Sequence, residues 1–380
     1  MRYLLTVVLY LFSGFSIAAA VIVPRAPELN AEAFILMDAE SGHVLVEKNA
    51  DKQLPPASLT KMMTSYIAVH ELATGNVSDT TQVPISVNAW KKGGSKMWVR
   101  EGTEVAMIDL LRGIIIQSGN DASVAVAEYF AGAEGAFADW MNQYAQRMDM
   151  TNTQFRNATG WPEDGHFSSA RDLAKLALHI INDHPDYYGV YSEKSFKFNG
   201  IEQPNRNKLL WRDDSVDGLK TGHTEEAGYC LAASALRDGT RLIAVVMGTR
   251  SENARAQETQ KLLAYGFRYF ETHKLYSAQD ALGQRKVWLG EQQQVQLGVA
   301  EDLYLTLPRG TKGDLDVDLV TDEYLKAPIT AGQQLGTLSV SKDGEIITER
   351  PLIAIDAVQE AGFVGRLIGE IELFFAKLMG

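Results

Sequence analysis

The hydrophobic periodicity of the chain changes in an order that restricts its fold. Residues 33–48 alternate as two short strands around a turn at Glu40-Ser41-Gly42. Helical spacing then predicts helices at residues 58–72, 105–116, 121–131 and 169–182. Strand patterns return at 231–235 and 242–247, joined through Asp238-Gly239, and a further helix is predicted at 254–270. Strands on both sides of a helical middle predict an α+β domain that is closed by its two ends.

A second pattern begins after about residue 275. Leucine and valine alternate with polar residues at 303–307, 315–319 and 338–340, and Lys342-Asp343-Gly344 marks a turn. This alternation predicts a small all-β domain at residues 276–357, after a first domain at residues 27–275.

Composition excludes several classes of site and partner. The single cysteine, Cys230, excludes an internal disulfide framework and a thiolate zinc cluster, and we see no H-E-x-x-H motif, so no metal site or cofactor is expected. The formal charge of −12 makes nucleic acid an improbable partner.

Residues 1–20 have the pattern of a secretory signal. Arg2 precedes an apolar run that ends in Ala18-Ala19-Ala20, a small-residue cleavage site. The alternative is an uncleaved anchor, because residues 3–23 carry no charge and are about long enough to span a bilayer. We favour cleavage, which predicts an exported protein.

The C-terminal residues 358–380 predict an amphipathic helix. Its apolar side chains recur at three- and four-residue spacing, at Val364, Leu367, Ile368, Ile371, Phe374, Phe375 and Leu378. Several charges disfavour a spanning helix. The segment is expected to lie on a membrane surface, and the alternative is a helix that docks on the protein itself.

Ser58-Leu59-Thr60-Lys61 lies at the start of a predicted helix, after Pro55-Pro56-Ala57. A serine and a lysine three residues apart lie on one helix face within mutual reach. The N–H groups at the helix start favour an alkoxide and the oxyanion that it creates. The pattern alone is weak, because Ser339-Val340-Ser341-Lys342 also matches it within a predicted strand.

The order of three motifs carries more information than any one of them. Ser58 and Lys61 are followed by Ser118-Gly119-Asn120, between two predicted helices, and then by Lys220-Thr221-Gly222 at the start of a strand region. This is the three-part signature of serine penicillin-binding proteins and β-lactamases.

The chemistry requires an unusual lysine. An ordinary lysine, with a pKa of about 10.4, is protonated at neutral pH and cannot remove a proton from Ser58. Burial and a second nearby cation are the means of lowering the pKa of Lys61, and Lys220 is a candidate for that cation. Ser118 is expected to relay protons to the leaving amine, and Asn120 to hold the substrate amide. His166 is expected to be a loop residue and not a general base.

The chain resembles the low-molecular-mass penicillin-binding proteins of the D-alanyl-D-alanine carboxypeptidase kind, often called the penicillin-binding protein 5 or DacA type. The resemblance extends over essentially the whole length. Beyond the three motifs it includes Asn205-Arg206-Asn207, Leu209-Leu210-Trp211, Asp217-Gly218-Leu219, His223-Thr224, Met247-Gly248-Thr249-Arg250, the β domain and the amphipathic tail.

The resemblance implies a β-lactamase-like transpeptidase fold of the α+β class, with an antiparallel sheet plus helices. Ser58 would attack the carbonyl between the last two D-alanines of a peptidoglycan stem peptide, with Lys61 as general base, and penicillin would acylate the same serine. The backbone N–H groups of Ser58 and His223 would form the oxyanion hole. The substrate-binding residues would be Lys220, Thr221, Gly222, His223 and Arg250, of which Thr221 and Arg250 would hold the terminal carboxylate.

The resemblance also implies a location on the periplasmic face of the bacterial inner membrane, as a peripheral protein. There the glycosylation pattern Asn157-Ala158-Thr159 is expected to be idle. Three alternatives stay open: a D,D-endopeptidase, a β-lactamase of the same fold, and a non-catalytic scaffold that binds peptidoglycan. The β domain is either a stalk or a platform for partner proteins.

Overall fold

The structure, a computed structural model, describes residues 23–379. The predicted export signal at residues 1–20 lies outside the described residues. The helices are α1 (Lys61–Ala73), α2 (Val87–Lys91), α3 (Met107–Ile115), α4 (Asn120–Ala131), α5 (Glu134–Arg147), α6 (Ala170–Asn182), α7 (Pro185–Tyr188), α8 (Leu209–Arg212), α9 (Glu252–Tyr269) and α10 (Phe363–Met379). The strands of the first domain are β1 (Ala33–Asp38), β2 (Val44–Lys48), β3 (Gln82–Pro84), β4 (Glu104–Ala106), β5 (Ser195–Phe198), β6 (Ile201–Pro204), β7 (Val216–Thr224), β8 (Gly228–Arg237) and β9 (Thr240–Thr249). Those that follow are β10 (Phe270–Tyr276), β11 (Gly283–Trp288), β12 (Gln294–Gly298), β13 (Leu303–Pro308), β14 (Leu315–Thr321), β15 (Leu325–Lys326), β16 (Gln334–Lys342) and β17 (Glu345–Ala354).

A five-stranded antiparallel sheet organises the first domain, in the order β2-β1-β9-β8-β7. The N-terminal hairpin therefore pairs with strands from the end of the domain, as the sequence pattern predicts. Asp238 and Gly239, between β8 and β9, both have positive φ, +48° and +79°. Two consecutive residues of this conformation fit the tight hairpin turn that an Asp-Gly pair predicts.

Helices cover both faces of this sheet. On one face α9 packs its Leu262, Leu263 and Phe267 against Leu36 and Val246 of the sheet. On the other face Ile35 and Val245 join a larger core, built with α1, α3, α4, α5 and α6. The helical layer, with α1 at its centre, therefore packs on this face of the sheet. The 3-10 turn before α1 contacts the edge strand β7. This arrangement confirms the predicted α+β fold class.

The helix boundaries follow the local sequence signals. Ser169 precedes α6, and its side chain accepts a hydrogen bond of 3.1 Å from the backbone N–H of Asp172, so the predicted start is confirmed. The predicted helix at 58–72 is a 3-10 turn at Ala57–Thr60 followed by α1. Helix α5 was not predicted from the sequence, although its buried residues Phe137, Ala138, Met141 and Ala145 recur at helical spacing.

The second domain is all-β, as predicted. Its larger sheet has the order β14-β16-β17-β12-β11-β15, and β10 pairs with β13. Ser339 and Lys342 both lie in β16, where residues three apart point to opposite faces. The second serine–lysine match is therefore a coincidence of strand sequence.

A polar cluster joins the two domains. The buried Asp38, at the end of β1, accepts hydrogen bonds of 2.6 Å from the Thr272 hydroxyl and 2.8 Å from the Ser41 hydroxyl. Ser41 also lies 2.6 Å from the hydroxyl oxygen of Thr306 in β13. These hydrogen bonds connect the end of β1 with β10 and β13.

Helix α10 contacts the second domain through a narrow strip. Leu373 is buried, and Lys377 lies over the Tyr324 ring at 5.4 Å. The seven apolar residues of the predicted face are all more than half exposed, from 52% for Ile371 to 72% for Leu378. The helix therefore does not use that face to dock on the protein. Among residues 23–379, no helix combines the length and the apolar character that crossing a bilayer requires.

Candidate active site

Ser58 and Lys61 meet at the turn that leads into α1. Ala57 takes a positive φ of +48°, which starts the 3-10 turn and leaves Ser58 partly exposed. The Nζ atom of Lys61 lies 3.0 Å from Ser58 Oγ and 2.6 Å from the carbonyl oxygen of Thr159. Lys61 is fully buried. The serine thus faces solvent while the amine lies behind it.

The environment of Lys61 suits a general base. Burial, and then the positive charge of Arg206, lower the pKa of Lys61 to about 7, against an opposing effect of Glu134. At that pKa about half of the amine is neutral at pH 7 and can accept a proton. Burial acts as the sequence predicts. The cation with the largest effect is Arg206, which the sequence analysis quoted only for its resemblance.

Ser118 lies on the connection between α3 and α4. It has a positive φ of +59° and is almost fully buried, and its hydroxyl oxygen has no hydrogen-bond partner among the described residues. An unsatisfied buried hydroxyl costs about 1–3 kcal/mol, so such groups concentrate at functional sites. This geometry leaves Ser118 Oγ free to bond a substrate or a proton donor.

Asn120 and Asp121 begin α4, and their side chains hold the backbone of residues 93–99 through hydrogen bonds. The side-chain amide of Asn120 donates a 2.7 Å hydrogen bond to the Gly93 carbonyl. The buried carboxylate of Asp121 accepts hydrogen bonds from the backbone N–H groups of Met97, Trp98 and Val99, at 2.9–3.2 Å. Asp121 was not predicted as a site residue.

The Lys220-Thr221-Gly222 motif runs along β7, an edge strand of the sheet. A Cβ atom at Gly222 would lie 3.0 Å from the carbonyl oxygen of Pro56 and 3.3 Å from the amide nitrogen of Leu59. Glycine therefore lets β7 lie directly against the Ser58 turn. The third motif thus lies beside the first.

Lys220 is a second buried amine. Its Nζ atom donates to the Thr221 carbonyl at 2.9 Å. Burial, and then the positive charge on Lys61, hold the pKa of Lys220 well below its usual range. Because two charged amines this close repel each other, the favoured states are those in which at most one of the two is protonated to the ammonium form.

Thr221, His223 and Arg250 occupy the same end of the sheet. Thr221 is buried in β7, and His223 pairs with Tyr229, which pairs with Thr249, the neighbour of Arg250. His223 and Arg250 are exposed, and the His223 ring lies 3.9 Å from the Tyr229 ring, centre to centre.

Arg255 of α9 contacts the backbone of β7 at this end of the sheet. It is nearly buried and donates a 3.1 Å hydrogen bond to the Gly222 carbonyl. Arg255 was not predicted as a site residue, because an arginine inside a helical pattern gives no signal of the strand that it contacts.

A cleft of about 440 Å³ opens next to the turn that carries Ser58, although its lining includes neither Ser58 nor the other predicted site residues. Its walls include Pro56 and Ala57 of the serine turn, Gly160 and Trp161 of the facing loop, and Thr224 at the end of β7. Trp161 is 48% exposed, so its indole presents apolar surface at the opening.

His166 supports the facing loop. Its Nδ1 accepts the Arg156 backbone N–H at 3.1 Å, so the proton of the neutral ring is on Nε2, 2.8 Å from the hydroxyl oxygen of Thr60. Burial lowers the pKa of His166 to about 4. Both ring nitrogens are engaged, which agrees with its prediction as a loop residue. Within residues 23–379, no group of three or more histidine, cysteine or carboxylate side chains is arranged to hold a metal ion.

Comparison with known proteins decides the family. Residues 20–251 match the family model described as D-alanyl-D-alanine carboxypeptidase, and residues 270–360 match the one described as penicillin-binding protein 5, C-terminal domain. The chain belongs to the D-alanyl-D-alanine carboxypeptidase family.

Relatives and solved structures agree with this assignment. The chain is 43% identical over 366 residues to the D-alanyl-D-alanine carboxypeptidase DacA of Escherichia coli, covering 94% of this chain and 91% of that protein. Penicillin-binding protein 5 from Haemophilus influenzae superposes with a TM-score of 0.86 at 41% identity, covering 89% of this chain and all of that one. Penicillin-binding protein D2 from Listeria monocytogenes, solved in its ampicillin-bound form, matches 64% of this chain and all of that one, with a TM-score of 0.59 and 30% identity.

Membership of the D-alanyl-D-alanine carboxypeptidase family confirms the expected class of serine peptidase and the fold that the resemblance implied. The roles of individual residues are proposals that rest on the geometry above. The three motifs could be recognised from sequence. The contributions of Thr159, Arg206 and Arg255 could not, since they depend on which segments the fold brings to Lys61 and Gly222.

Proposed function

We propose that the chain is a serine D-Ala-D-Ala carboxypeptidase, which removes the terminal D-alanine from peptidoglycan pentapeptides and thereby limits cross-linking. The observation that carries the proposal is the contact between the partly exposed Ser58 hydroxyl and the fully buried amine of Lys61. This pairing of nucleophile and base is what acyl transfer to serine requires.

In the proposed acylation step, neutral Lys61 takes the proton of Ser58 while Ser58 Oγ forms a bond to the carbonyl carbon between the two D-alanines. The backbone N–H groups of Ser58 and His223 stabilise the oxyanion. The C–N bond then breaks, and the departing amine receives a proton by way of Ser118 and the Lys61–Lys220 pair. Water hydrolyses the ester and restores Ser58.

The same geometry suggests how substrate is held. Asn120 holds the substrate amide, and Lys220, Thr221, Gly222 and His223 line the strand along which the peptide lies. Arg250, exposed at the same end of the sheet, is available for the terminal carboxylate, to which a guanidinium can donate two parallel hydrogen bonds. A β-lactam presents a carbonyl and a carboxylate in a similar relation, so penicillin is the second expected ligand.

The ends of the chain define where this activity is placed. Residues 1–20 are proposed as an export signal, residues 27–275 as the catalytic domain and residues 276–357 as the β domain. Residues 358–380 are proposed as a peripheral anchor on the periplasmic face of the bacterial inner membrane. The exposed apolar face of α10 supports the anchor.

Mass spectrometry after a short exposure to penicillin tests the nucleophile. We expect one adduct on the peptide that contains Ser58 and none in the Ser58→Ala variant. Absence of an adduct on folded protein would overturn the acyl-enzyme mechanism. Release of D-alanine from a pentapeptide, compared with cleavage of a cross-linked dimer and with penicillin turnover, then separates a carboxypeptidase from an endopeptidase and from a β-lactamase.

A further inference from the structure

The carbonyl of Thr159 is a fixed partner of the Lys61 amine. The distance from Lys61 Nζ to this oxygen is 2.6 Å, shorter than the 3.0 Å to Ser58 Oγ. A carbonyl oxygen can only accept, so it always engages one N–H of the amine. In the neutral amine, an N–H held by Thr159 leaves the lone pair free to turn toward Ser58. The position of this carbonyl therefore sets the direction in which Lys61 can accept a proton.

The side chain of Asn157 holds the backbone on both sides of that carbonyl. Its Oδ1 accepts four hydrogen bonds, from the backbone N–H groups of Thr159, Gly160 and Trp161 at 2.8–3.2 Å and from the Thr159 hydroxyl at 3.0 Å. Its Nδ2 donates to the Trp161 carbonyl and to the Glu163 carboxylate, both at 3.0 Å. Asn157 is 5% exposed. Each end of the amide faces groups of the matching type, so the whole side chain is engaged.

The loop also packs on the serine turn itself. Gly160 has a φ of +77°, and a Cβ atom there would lie 1.8 Å from the Ala57 carbonyl oxygen. On the other side, the Thr64 hydroxyl of α1 donates to the Ala158 carbonyl at 2.8 Å. The segment at residues 157–161 is thus in contact with the residue before Ser58 and with the helix that carries Lys61.

We propose that Asn157 is a positioning residue for the acylation step: it holds the Thr159 carbonyl against Lys61 and so aims the amine at Ser58. The proposal rests on the proposed function, in which Lys61 is the base. From sequence alone, Asn157 stands out only as the first residue of the glycosylation pattern Asn157-Ala158-Thr159.

Two variants separate positioning from folding. Asn157→Ala removes all the bonds of the side chain, and a misplacement of the order of 1 Å at a catalytic group costs about 100-fold, so acylation should slow by roughly 10- to 100-fold at every pH. Asn157→Asp, made together with Glu163→Gln so that the new carboxylate faces an amide and not the Glu163 carboxylate, keeps an oxygen for the backbone N–H groups but brings a negative charge closer to Lys61. Its acylation rate at alkaline pH should stay close to that of the wild type, while the acid fall-off of the rate moves to higher pH.

Asn142 offers a matched control. Its side chain clamps the backbone of Phe155 through hydrogen bonds of 2.8 and 2.9 Å, in the same connection but away from Thr159. Asn142→Ala should lower the melting temperature and leave the acylation rate and its pH profile unchanged.

The measurement is the rate of acylation by a fluorescent penicillin across acid and alkaline pH, on full-length protein, with complete acylation at long times used to count folded sites. Wild-type protein that is not acylated would refute the proposed function itself. With wild type active, the inference is overturned if Asn157→Ala keeps the wild-type rate, or if both variants slow equally with no shift of the acid limb. If Asn157→Ala fails to fold, the shift of the acid limb in Asn157→Asp with Glu163→Gln decides.

Discussion

The Nζ atom of Lys61 lies 3.0 Å from Ser58 Oγ, and burial together with Arg206 lowers the pKa of this amine to about 7. The base is active when neutral, so the rate of acylation by penicillin should rise with pH through about 7 and level off above it. Well below that pKa, the rate should fall about tenfold for each pH unit. Stopped-flow fluorescence gives the profile. A rate that stays flat into acid pH would contradict lysine as the base.

The charge on Arg206 should be visible in the same profile. Its guanidinium is the charge that most lowers the pKa of Lys61, so Arg206→Ala should raise that pKa and move the acid limb to higher pH by on the order of 0.5–1 unit. Arg206→Lys keeps the charge and should keep the limb near its wild-type position. The position of the limb is the readout, because the height of the plateau also reports substrate binding. An unmoved limb in Arg206→Ala would exclude this electrostatic role.

The fold was largely predictable because its main elements are local patterns. Alternating apolar and polar residues predict the hairpin at residues 33–48, and the Asp238-Gly239 pair predicts the turn between the strands on either side of it. Ser169, a residue type that commonly caps helices, predicts the start of α6. The hairpin of β5 and β6 carries the same kind of signal, because its turn is Asn199-Gly200 and both residues have positive φ, +48° and +77°, yet it was not predicted. The pairing of β3 with β4 joins residues about twenty positions apart, which no local pattern encodes.

The candidate site was predictable only where side chains carry the chemistry. Ser58, Lys61, Ser118 and Lys220 are identified by residue type and order. The partner of Lys61 at Thr159 is a backbone carbonyl, which every residue possesses, so its position follows from the tertiary fold alone. Arg206 likewise affects Lys61 through space and not through spacing in the sequence.

His166 should make the protein less stable in acid. Its pKa falls from an ordinary value of 6.5 to about 4 in the folded state, so the unfolded chain binds the proton first. Stability is therefore full above pH 6.5 and falls as pH drops toward 4, by about 2 kcal/mol between pH 7 and pH 5. Urea unfolding at the two pH values should show a smaller loss in His166→Gln than in the wild type. The exposed His43 provides the control, since His43→Gln should leave the wild-type loss intact.

Gly160 should tolerate no side chain, because two separate costs meet there. Its positive φ costs about 1–2 kcal/mol for any other residue, and a Cβ atom would collide with the Ala57 carbonyl oxygen, one residue before Ser58. Gly75 has nearly the same φ, +78°, with nothing within 4 Å of an added Cβ. Gly75→Ala should therefore show only the conformational cost and keep its acylation rate, whereas Gly160→Ala should lose more stability and acylate slowly. Equal losses of stability and of acylation rate in the two variants would mean that the loop at Gly160 is not in close contact with the turn that carries Ser58.

The exposed face of α10 should hold the protein on membranes by burial alone. Phe374 is 64% exposed, whereas the neighbouring Leu373 is buried. Burying a side chain of this size contributes about 1.5–3 kcal/mol, so Phe374→Glu should weaken binding to phosphatidylcholine vesicles by roughly 10- to 100-fold. Glu370→Gln removes a charge from a residue that is not part of the apolar face, and this variant should bind as the wild type does. Residues 358–380 carry three Glu against Arg366 and Lys377, so anionic lipid should add little. Equal cosedimentation of Phe374→Glu, of the wild type and of a chain truncated after Asp356 would refute the anchor.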